Sequence, residues 1–123
     1  MNKLTLGISS LALALGALTS GAQAADTIGE TQRCVRLRQI ESSPIINDRT
    51  ILMKMRDNGF KRMDLNGTCS GISWDGYARS GPEDAICVTD ALHVIGPVGN
   101  ICTIDKIVNI DAKEAAALQA KKK

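Results

Sequence analysis

The 123-residue chain is poor in rings, with one tryptophan, one tyrosine, one phenylalanine and a single histidine. Scarce aromatics among interspersed charges argue against a nucleic-acid surface, which combines clustered cations with stacking platforms. They also leave little ring area for sugar stacking. The lone His93 is the first candidate for a hydrolase base, and no nucleophile-elbow pattern accompanies it. Phosphate-cradling glycine loops and calcium loops are missing as well. The closest two of the four cysteines are 15 positions apart. The tight cysteine spacing of redox and zinc motifs is therefore absent, and no metal or cofactor is expected. A large charge of one sign is lacking too. Once Lys3 is removed, 14 basic side chains face 13 acidic ones.

What is present begins at the N-terminus. Lys3 precedes an apolar run from Leu4 to Leu18, and Ala22-Gln23-Ala24 supplies the small-x-small pattern that signal peptidase accepts. Residues 1–24 are expected to be a signal peptide, cut before Ala25. The run is shorter than the roughly 20 residues a membrane-crossing helix needs, so the processed chain is not expected to span a membrane. The expected location is the periplasm or the extracellular space. Cys34, Cys69, Cys87 and Cys102 all lie in the mature chain, where an oxidising compartment favours disulfides. Four cysteines allow three pairings. The expected one is Cys69–Cys87, closing a glycine-rich loop, with Cys34–Cys102 tying the first strand to the last.

The remaining pattern reads as β-structure. Cys34 to Ile40 alternates, which predicts a strand with Val35, Leu37 and Gln39 on one face and Arg36 and Arg38 on the other. Ile45-Ile46 predicts a short strand. Thr50 to Arg56 predicts a longer one, with Ile51, Met53 and Met55 inward. Asp57-Asn58-Gly59 is a strong hairpin turn, and Phe60 to Leu65 is its return. Met53, Met55 and Met63 at alternating positions are read as core filling in preference to a copper(I) set. Residues 69–87 are expected to be a loop with at most short pieces of structure. Ala91 to Ile95 and Ile101 to Ile110 predict further strands. Asp111 is a candidate helix cap, with Glu114 completing a reciprocal pair. The expected fold is mostly β: a small antiparallel barrel or curled sheet of five to six strands, with a short C-terminal helix or disordered tail. Residues 25–33 are read as a flexible leader, 34–110 as the disulfide-stabilised domain, and 111–123 as the marginal helix or basic tail.

The segments CVRLRQI, INDRTILMKMRDNG, the hairpin ending near Cys69, then Cys87 and the GNIC at Cys102, together resemble an uncharacterised family of small exported proteins of Gram-negative bacteria. Asn47, Asp48, Arg49, Thr50, Ile51 and Leu52 carry the most specific part of the resemblance. Members often have Gly-Asp before the later strand, where this chain has Thr89-Asp90. The resemblance implies export, a small fold and four structural cysteines. It implies no activity.

For function, Trp74, Asp75 and Tyr77 are read as a binding surface in the cross-linked loop, since aromatics give large contact area at low entropic cost. The opposing possibility is that Trp74 caps one end of the core. Arg36 and Arg38, with Lys54 or Arg56, form a second candidate surface for an anionic envelope polymer or lipid. The function expected is a non-catalytic exported protein that binds a protein or envelope component. A small secreted hydrolase using His93 is the alternative.

Overall fold

Asp57-Asn58-Gly59 turns the chain where the sequence predicts it. Asn58 takes a left-handed φ of 73°, and Asp57 Oδ1 accepts from Gly59 N at 2.9 Å. The computed structural model describes residues 27–97 and 99–122. The expected signal peptide, residues 1–24, lies outside them. Within the described residues the strands and helices follow in this order: β1 (Thr31–Gln32), β2 (Cys34–Arg36), β3 (Ile40–Ser42), β4 (Ile45–Asn47), β5 (Thr50–Met55), β6 (Phe60–Leu65), α1 (Ile72–Asp75), β7 (Tyr77–Ser80), β8 (Ala85–Cys87), β9 (Ala91–Val94), β10 (Ile101–Ile110) and α2 (Ala112–Ala120). The segment 25–33 was expected to be a loose leader, yet β1 within it pairs with Ile107 and Val108 of β10.

The main sheet runs β3-β5-β6-β10-β9-β7 and curls into a half-barrel, with β1 added to β10 and β4 to β5. Its strand pairs are antiparallel. A separate ribbon of β2 and β8 contributes Val35 and Ile86 to the main core. There they join Ile51, Met53, Met55, Met63, Leu65, Leu92, Val94, Ile104 and Ile107. The three methionines are therefore core residues, as their alternation predicts. Burying each of these side chains is worth roughly 1.5–3 kcal/mol.

The opposite face of β5, β6 and β10 is covered by α2. Ile46, Leu52, Val108, Ile110 and Ala115 form a second buried cluster, with Phe60 and Leu118 against it. The helix docks more firmly than its small side chains suggest, because Arg62 on β6 reaches it. Arg62 bonds Asp64 on its own strand and Glu114 on α2. The hydrogen bond that the guanidinium donates to Asp64 is the largest influence on it and holds its pKa above the ordinary value, against partial burial. Asp111 caps α2 by accepting from Glu114 N at 2.8 Å. The Glu114 carboxylate goes to Arg62.

One bulge lets a single strand serve both cores. In β10, Ile104 is opposite Leu65, but Lys106 is opposite Asp64, so one extra residue is inserted at Asp105. Before it, Cys102 and Ile104 face the main core. After it, Ile107 does so, while Val108 and Ile110 face α2. A regular strand carrying these same residues would place Ile104 and Ile107, an odd number of positions apart, on opposite faces.

Two expectations are corrected. The disulfides are Cys34–Cys87 and Cys69–Cys102, not Cys69–Cys87 and Cys34–Cys102. Cys34 and Cys87 are direct cross-strand partners on β2 and β8, a pairing that the intervening sequence does not announce. Residues 69–87 hold short pieces of structure, α1, β7 and β8. Finally, Cys34 to Ile40 is not one strand. A 3-10 turn at Leu37–Gln39 interrupts it, and β3 continues to Ser42. Arg36 and Arg38 consequently do not share a strand face.

Thr89 sits at φ 76°, a region that costs a β-branched residue about 1–3 kcal/mol. Glycine takes this conformation freely. Thr89→Gly is expected to raise stability by about 1 kcal/mol, measured as a higher urea midpoint at unchanged slope. A lower midpoint would mean that the Thr89 side chain makes contacts worth more than its strain.

Candidate functional site

Trp74 lies on α1, the short helix that follows Cys69. Three sets of contacts pin this helix. Cys69 is bridged to Cys102 on β10. Asp48 Oδ1 accepts from Ser73 Oγ at 2.8 Å. Ile95 N donates to Gly76 O at 3.1 Å, tying the helix exit to the end of β9. On this held scaffold Trp74 is 85% exposed, beside an exposed Asp75. Trp74 therefore does not cap the core. Tyr77 behaves differently. It is half-buried and packs against the main core, so the structure does not bring it together with Trp74 as a second exposed anchor. Ile95 and Ile101, 55% and 64% exposed, add apolar surface on β10 and just past the end of β9.

The outer face of β7, β9 and β10 beside them carries small, apolar and hydroxyl side chains around one histidine. Ala78, His93 and Ile101 stand side by side across the three strands, and Ser80, Ala91 and Thr103 form the next row. Leu92 and Val94 point to the core and His93 to this outer face, as alternation predicts. The sequence did not reveal that Ser80 Oγ comes within 2.8 Å of His93 Nε2. A histidine that accepts this hydroxyl proton would activate the oxygen, which is the first half of a hydrolase triad. Among the described residues no carboxylate bonds the His93 ring to orient it, and the pair lies on an open sheet face.

A third region is concave. At the hairpin end of the half-barrel, a cleft of about 510 Å³ opens between β1, the 3-10 turn and the β5–β6 turn. Its walls carry Gln32, Arg38, Gln39, Arg56 and Asp57, with Met55 and Lys61 beneath. Lys61 is buried and its ammonium donates to Asn109 Oδ1 at 2.7 Å. Arg56 Nε donates to the Arg38 carbonyl at 2.9 Å, which fixes its guanidinium at the rim. Of the cations grouped by sequence, Arg38 and Arg56 thus meet here. Arg36 lines an adjoining groove with Arg38 and Asp84. Lys54 is instead paired with Glu41 at 3.4 Å. Gln32 and Gln39 escaped the sequence reading because neither amide stands out until the chain is folded.

Compared with known protein families, curated proteins and solved structures, the chain matches none. Among the described residues, no group of three or more His, Cys, Asp or Glu side chains is placed to hold a metal ion, and no helix is long and apolar enough to cross a membrane.

Proposed function

We propose that this is an exported, non-catalytic binding protein of the periplasm or extracellular space, and that it recognises a protein partner through Trp74. The observation that carries this reading is a tryptophan 85% exposed on a helix held by a disulfide and by Asp48. Exposing that much indole on a rigid mount is unfavourable unless something covers it, and buried indoles dominate binding energies at interfaces. Asp75 and the exposed Ile95 and Ile101 give the contact a polar edge and apolar breadth. The signal-peptide pattern and the paired cysteines support export.

Trp74→Ala is expected to leave thermal stability within about 0.5 kcal/mol of the parent, since exposed side chains contribute little to folding. It is expected to abolish capture of envelope proteins by the immobilised, oxidised domain. Trp74 is the only tryptophan, so its fluorescence reports this one site, and partner binding should shift the emission to the blue. An identical set of captured proteins for parent and variant would sink the reading.

The Ser80–His93 contact favours a second reading, a small hydrolase. It requires Ser80 to react with a fluorophosphonate and His93→Ala to abolish that reaction. Unlabelled Ser80 in the parent rejects the hydrolase.

A further inference from the structure

The cleft at the hairpin end combines two features that point to one kind of ligand. The first is positive charge held in place. Arg56 is tethered through Nε to the Arg38 carbonyl, and the Arg38 side chain lies on the same wall. Guanidinium groups bind carboxylates through parallel hydrogen bonds in a fixed geometry. Among the described lining residues Asp57 is the one carboxylate, and its Oδ1 is engaged with Gly59 N. The second feature is a buried acceptor. Gln32 Nε2 donates to the Cys34 carbonyl at 3.0 Å, which only the NH2 end of the amide can do. That orientation leaves Oε1 as the acceptor, and among the described residues this buried oxygen has no hydrogen-bond partner. Buried polar atoms are nearly always paired, so this orphan, on a residue that lines the cleft, calls for a donor.

We propose that the cleft binds a hydroxylated carboxylate, an acidic sugar or a polymer of such sugars. The carboxylate sits against Arg38 and Arg56, and a ring hydroxyl donates to Gln32 Oε1. The volume of about 510 Å³ lies in the usual range for small-ligand sites, roughly 300–1,000 Å³. Through Arg38 the cleft continues into the Arg36 groove, and through Met55 and Asp57 it continues toward Gly59 and Ile28. That length suits successive units of a chain. The site uses other elements than α1, so it stands or falls independently of Trp74.

Calorimetry on the oxidised mature protein at low salt tests it with four probes: tri-galacturonate, galacturonate, galactose and propionate. Galacturonate in free or trimeric form is expected to bind, and galactose and propionate are not. Tighter binding of the trimer identifies a polymer as the source, and equal binding identifies the free sugar acid. Arg38→Gln should weaken binding about tenfold or more, the loss of a charge-assisted pair. This variant keeps the backbone carbonyl that Arg56 uses, so folding is preserved. Gln32→Leu should reduce the preference for galacturonate over propionate. Lys113→Gln, an equal charge loss on α2, should stay within about twofold of the parent, because screening confines exposed charges to short range. No binding of either galacturonate form, equal binding of propionate, or unchanged affinity in Arg38→Gln overturns the proposal.

Discussion

Ile104→Asp is expected to abolish cooperative folding, whereas deleting Asp105 is expected to be tolerated. Ile104 is fully buried in the main core. An unpaired carboxylate there costs several kcal/mol, and the lost packing adds to it. The sum approaches the whole stability of a domain this size, about 5–15 kcal/mol. Asp105 is exposed and is the extra residue between Ile104 and Ile107. Without it those two isoleucines lie two positions apart, so plain alternation keeps both inward, turns Lys106 outward and leaves Val108 and Ile110 toward α2. Only the local bend and twist of the bulge are lost. Urea titration followed by circular dichroism decides both. A parent midpoint in Ile104→Asp would show that residue 104 does not face the core, and loss of cooperative folding on deletion would show that the bend itself is required.

Replacing Cys69 and Cys102 together by alanine is expected to cost about 4 kcal/mol. The bridge closes a loop of 33 residues, and restricting a loop of that length in the unfolded chain is worth roughly this much. In a domain of this size the melting temperature should fall by about 15–30 °C. The Cys34–Cys87 bridge spans 53 residues and should be worth slightly more by the same entropic argument, while the logarithmic dependence keeps the difference small. The first bridge also anchors α1, so its loss should loosen Trp74. Peptide mapping without reduction checks the pairing directly. A Cys69–Cys87 linked peptide would contradict the register of β2 and β8.

The elements that were legible in the sequence are those whose cause is local. Alternation placed Ile51, Met53 and Met55 inward, and likewise Leu92 and Val94. Asn58-Gly59 announced its hairpin because few residues accept the backbone angles it needs. Asp111 announced α2 through its capping oxygen. In the segment 69–87 the sequence indicates only short pieces of structure, because the strands are brief and set among glycines. What it does not show is their pairing, β7 with β9 and β8 with β2, the latter across 53 residues.

The sequence alone determined a β-rich chain with a central hairpin, a methionine-filled core and a capped C-terminal helix, since each follows from side-chain period or turn chemistry within a few residues. Tertiary structure decided which cysteines meet, because that depends on β8 docking against β2 across 53 residues. It also decided the candidate sites. Trp74 is exposed because α1 is pinned by Asp48 and Cys69. Ser80 meets His93 because β7 pairs with β9. Arg38, Arg56 and Gln32 converge because a 3-10 turn breaks what the sequence presents as one strand. Such convergences are set by long-range pairing, whose energy resides in no local pattern.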